Sequence, residues 1–89
     1  MSNHHKQNYP PSRVQPGKLY TTSPGFWLDV GENNSTFVVD GTDVVCVLGV
    51  RQSTKDNVEL TILTAHEGRV GKAWFFAEGS YHRFTEVSG

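Results

Sequence analysis

Eighty-nine residues, with eight Lys and Arg against nine Asp and Glu, make one small, nearly neutral domain at most. A formal charge of −1 lacks the long-range attraction behind non-specific binding to nucleic acid or anionic lipid. A single cysteine, Cys46, leaves no internal disulfide to form. No run of about 18 apolar residues is present to span a bilayer, and no charged-then-apolar leader precedes the domain. A cytoplasmic protein without membrane partners is the expectation.

Residues 1–16 (MSNHHKQNYPPSRVQP) offer Tyr9 and Val14 as the sizeable apolar groups besides Met1. So little burial does not offset the entropy of ordering the segment, and Pro10-Pro11 favours an extended conformation. The segment reads as a disordered arm, with His4 and His5 as solvated side chains rather than metal ligands. The folded domain is placed at residues 17–89.

Residues 17–22 (GKLYTT) begin a first short strand, and Ser23-Pro24-Gly25 breaks it. Two β-prone runs, 26–30 (FWLDV) and 36–40 (TFVVD), flank a turn-rich tip and form a hairpin-like excursion. No Lys or Arg lies between Lys18 and Arg51, while Asp29, Glu32, Asp40 and Asp43 do, so the excursion is locally acidic. The main strands follow. In the first, Val44, Cys46, Leu48 and Val50 share one face by period two, and Val45 and Val47 the other. After the polar loop 51–57, Val58, Leu60 and Ile62 alternate with Glu59 and Thr61, the pattern of a strand with one wet face. Ala65-His66-Glu67-Gly68 makes a tight turn, with Gly68 at the positive-φ position. Residues 70–77 supply the next strand and 81–87 (YHRFTEV) the closing one. No segment shows helical periodicity with caps, so the class is all-β.

This strand order resembles the SH3-like barrel, as found in bacterial and phage SH3-like domains. The resemblance covers residues 17–87. Leu19-Tyr20 stands in place of an Ala-Leu-Tyr-type opening strand, and the excursion in place of the RT loop. Residues 41–48 (GTDVVCVL) look like the Gly-Asp-x-Leu-x-Val lead-in to the second strand. The loop 51–57 sits where the n-Src loop would be. Gly68-x-x-Gly71 before an aromatic strand resembles the distal hairpin. The resemblance implies a five-stranded barrel with a long RT-type excursion. Peptide-binding SH3 domains also carry a tryptophan where this chain has Asn57-Val58, and a Pro and a Tyr after the fourth strand, where it has Ala77 and a displaced Tyr81. Recognition of proline-rich peptides is therefore not implied.

The aromatic residues carry the functional reading. Phe26-Trp27 and Trp74-Phe75-Phe76 set large rings next to one another on strands, and neighbours point to opposite faces. With Ala73 and Phe75 inside, Trp74 and Phe76 are outside; with Trp74 and Phe76 inside, Phe75 is outside. A patch of Tyr20, Phe26, Trp27 and Trp74, with Tyr81 at its rim and Asp29, Glu32 and Asp43 flanking it, would receive an apolar and basic segment. The partner would be a protein or peptide, a second copy of the chain included, and the protein an interaction or assembly module. The alternative is single-stranded nucleic acid, held by Arg69, Lys72 and Arg83 interleaved with aromatics; charge balance weighs against it.

Chemistry is poorly represented. Cys46, His66 and His82 lie on separate segments without metal-ligand spacing, and Cys46 reads as a small core hydrophobe. No nucleophile elbow or phosphate loop occurs, and Asp40 and Asp43 sit on a turn. A non-enzymatic protein without cofactor or metal is expected. The compact size also fits an accessory protein of a phage or mobile element.

Overall fold

The computed structural model describes residues 8–31, 35–77 and 81–87. They are all-β: β1 (Asn8–Tyr9), a 3₁₀ turn (Pro11–Arg13), β2 (Leu19–Ser23), β3 (Phe26–Asp29), β4 (Thr36–Val39), β5 (Val44–Gln52), β6 (Asn57–Thr64), β7 (Val70–Phe76) and β8 (Arg83–Glu86). The pairings are antiparallel, in one open sheet ordered β1-β8-β2-β5-β6-β7-β3-β4.

Eight strands in an open sheet replace the expected five-stranded barrel. The five strands anticipated are β2, β5, β6, β7 and β8, and they remain consecutive in the order β8-β2-β5-β6-β7. The difference is that the excursion does not stand off as a loop. Its strands β3 and β4 pair along Phe26↔Val39 to Asp29↔Thr36, and β3 joins β7 at Asp29↔Lys72. Gly71 permits this junction: a Cβ there would run into the Asp29 carbonyl oxygen and lie 2.8 Å from Leu28 Cγ. A side chain at that position would hold β3 off the sheet.

The inner face carries the core. Phe26, Leu28, Val39, Val45, Val47, Val58, Leu60, Ile62, Ala73, Phe75 and Phe84 are buried, as the alternation on each strand requires. The sheet curls so that β7 and β8, separated by three strands, meet across the interior. Phe75 and Phe84 make an edge-to-face contact at 5.4 Å, and Phe26 packs on Phe75 at 5.3 Å.

Residues 8–16, expected to be disordered, carry β1 and the 3₁₀ turn and are anchored at a few points. Tyr9 pairs with Phe84 through β1–β8 and meets the Tyr20 ring edge-on at 6.3 Å. Pro11 and Val14 are buried, and the Gln15 N–H donates to the Tyr20 hydroxyl at 2.9 Å. Two adjacent prolines have little conformational freedom to lose, so ordering this segment costs less than its sparse apolar content suggests. His4 and His5 lie outside the described residues.

Two further readings change. The β5–β6 register shifts between Val47 and Gly49, leaving Leu48 unpaired in a bulge. Val50 thereby moves to the core side, opposite Leu60, while Leu48 stays exposed. Cys46 is not in the core. It lies half-buried on the outer face between Leu19 of β2 and Leu63 of β6. The turn before β7 is as anticipated: Gly68 has φ +67° and donates its N–H to the Thr64 carbonyl at 2.9 Å.

Candidate docking face

The outer face of the sheet is read most directly as cross-strand rows. One row is Arg51–Glu59–Trp74, from the register pairs Arg51↔Glu59 and Glu59↔Trp74. β3 and β7 pair at Asp29↔Lys72; two residues along each strand, Trp27 and Trp74 line one cleft, and Trp27 itself pairs with Val38. Phe76 follows in the next row, opposite Asn57. The result is an apolar band of Val38 (53 % exposed), Trp27 (65 %), Trp74 (50 %) and Phe76 (64 %). Such contiguous exposed rings are uncommon on a solitary small domain.

A cleft of about 440 Å³ opens at this band, with Trp27 and Trp74 on its flanks and Tyr81 and His82 in its lining. Phe75 contributes from below, and its ring lies 5.1 Å from that of His82. The His82 ring also stacks on Tyr81 at 4.8 Å, and its Nε2 lies 3.3 Å from the Gly25 carbonyl oxygen. These contacts fix the imidazole as part of the wall.

Trp74 is itself held. Its indole N–H donates to Glu59 Oε1 at 3.3 Å. Arg51 Nη2 reaches the same oxygen at 3.5 Å, and Lys72 Nζ lies 3.6 Å from Oε2. Glu59 is only 7 % exposed although it occupies the solvent face. Its period-two position was legible in the sequence; its burial was not, because the covering groups come from β5 and β7.

Seven of the eight expected partner-binding residues are described, and they fall into separate places. Trp27 and Trp74 are exposed on the band, and Tyr81 lies exposed at the cleft. Tyr20 and Phe26 do not join them: both are core residues, since alternation on β2 and β3 turns them inward. Asp29 lies on the band side, opposite Lys72, and its Oδ1 accepts the Gly31 N–H at 2.8 Å. Asp43 is a turn residue whose Oδ2 accepts the Asp40 N–H at 3.0 Å. It precedes β5 where Ala65 bonds Val44, whereas Trp74 faces Glu59 toward the other end of β6. Glu32 lies outside the described residues. Val38 was not anticipated on the band, although alternation against the buried Val39 was a usable signal. Phe76 follows from having Ala73 and Phe75 inside.

The basic residues do not form one patch. Lys72 is paired with Glu59, and Arg69 with Glu67 at 3.4 Å while its guanidinium lies 5.0 Å over the Phe37 ring. Arg83 is on β8, separated from β7 in the sheet by β2, β5 and β6, and donates to the His82 carbonyl at 3.4 Å. Among the described residues no group of three or more His, Cys, Asp or Glu is placed to hold a metal. None of their helices is long and apolar enough to cross a membrane. No protein-family model, curated protein or solved structure matches the chain.

Proposed function

We propose that the protein is a non-catalytic interaction module that docks a protein or peptide partner on the Trp27–Trp74 face. The observation that carries this reading is the band of four large apolar side chains on one outer surface, opening into a cleft with Tyr81. Burying aromatic anchors of this kind supplies most of the affinity in protein recognition. Among the described residues, the acidic flank of the expectation reduces to Asp29, which faces Lys72. The partner segment proposed is primarily apolar, to match the band.

The SH3-like assignment is part of the same proposal, in a form extended beyond five strands. It is supported by the run β8-β2-β5-β6-β7 and by the excursion lying between β2 and β5. It concerns architecture and does not bring proline-rich peptides with it. The single-stranded nucleic-acid reading is weaker, because Arg69 and Lys72 already have carboxylate partners.

Two arms of one experiment test the function. Light scattering over a concentration series reports self-association, and display selection of random peptides on immobilised protein reports a different partner. Growth in mass, or enrichment of aromatic and aliphatic peptides, abolished by Trp27→Ala in a folded variant, is the expected result. A strict monomer from which no peptide pool enriches over Trp27→Ala contradicts it. Retention on an immobilised single strand at moderate salt, lost with Lys72→Ala, would favour nucleic acid instead.

A further inference from the structure

We infer that Glu59 is a positioning residue, a buried carboxylate that fixes the Trp74 ring and so presets one wall of the cleft; the inference rests on the docking role proposed for that face. The strand itself does not ask for a carboxylate. Thr61, two residues on and on the same face, meets the needs of β6 without a buried charge. Withdrawing a carboxylate from water is unfavourable unless it is paired and hydrogen-bonded. Here three groups from two neighbouring strands converge on it: the Arg51 guanidinium from β5, and the Lys72 ammonium and Trp74 indole N–H from β7.

The consequence for Trp74 is specific. A half-exposed indole on an outer face would otherwise exchange between rotamers, and ordering it would oppose binding. The bond to Glu59 removes that freedom beforehand. It also engages the one polar atom of the indole, so a ligand meets Trp74 through the ring. The cleft therefore suits a partner side chain that stacks, either a ring or an extended aliphatic chain. Arg51 and Lys72 are set against two carboxylates, Glu59 and the Asp29 that lies opposite Lys72 on β3, which keeps the wall near neutral and matches an uncharged anchor.

The test is read on the protein without a partner. The chain has two tryptophans, so its two indole N–H resonances are assigned with Trp27→Phe. In the wild type, Trp74 Nε1–H is expected to exchange with solvent about tenfold more slowly than Trp27 Nε1–H, the scale of a hydrogen bond to a charged group. Glu59→Leu should erase that difference while the backbone amide spectrum stays dispersed, and Glu59→Gln, whose carbonyl still accepts, should restore most of it. Protection of Trp74 that survives Glu59→Leu overturns the inference. Should Glu59→Leu not fold, the wild type decides: equal exchange of the two indoles overturns it. Failure of the docking role has a different signature, association that is unaffected by Trp27→Ala.

Discussion

Phe75 and Phe76 are neighbours on β7 with the same side chain, yet one is 5 % exposed and the other 64 %. The inner face of the strand, Ala73 and Phe75, closes a core in which Phe26, Phe75 and Phe84 meet ring to ring. The outer face, Trp74 and Phe76, carries two rings to the inner face's one and is left largely to solvent. Hydrophobicity alone therefore does not separate core from surface here; position on the pleat does. The comparison also shows where order comes from. Inside, rings are fixed by packing. Outside, Trp74 is fixed by a hydrogen bond to Glu59, a means suited to a surface that must stay open.

Substitutions on the two faces should differ accordingly. Phe84→Ala removes a fully buried ring at the centre of the core and should destabilise by about 3–5 kcal/mol, read as loss of the unfolding transition or a large fall in its urea midpoint. Gly71→Ala introduces a Cβ against Asp29 and Leu28 and should cost roughly 1–3 kcal/mol. Amide exchange in that variant should rise first in β3 and β4, which join the rest of the sheet at this point. Tyr20→Phe keeps the ring in the core but leaves the Gln15 N–H without its acceptor, a loss of about 1 kcal/mol in urea unfolding. Phe76→Ala, on the outer face, should shift stability by no more than about 0.5 kcal/mol. A large loss from Phe76→Ala would erase the distinction between the faces.

Much of this architecture is written locally in the sequence. The alternation in β6 and β7 and the glycine turn at Gly68 follow from neighbours a few residues apart. What is not legible depends on distant partners. Gly49 marks a weak point in β5, but the two-against-one pairing that leaves Leu48 in a bulge is set by β6. The packing of Pro11 and Val14 requires the sheet to exist first, and the junction of β3 with β7 turns on the missing Cβ of Gly71. The candidate site divides the same way. Trp27, Trp74 and Tyr81 are visible as surplus aromatics, whereas Tyr20 and Phe26 are turned into the core by their position on the pleat, which aromatic content by itself does not reveal. Glu59 had no local signature, since its three partners lie eight to fifteen residues away along the chain.

The most direct test of the docking face compares Trp27→Ala with the wild type, both at the same urea midpoint, in titrations with the tightest peptide from the display selection. Removing an exposed aromatic anchor should raise the dissociation constant by about tenfold or more. Equal dissociation constants for the two proteins would contradict the account, because the most exposed tryptophan of the band would then contribute nothing to recognition.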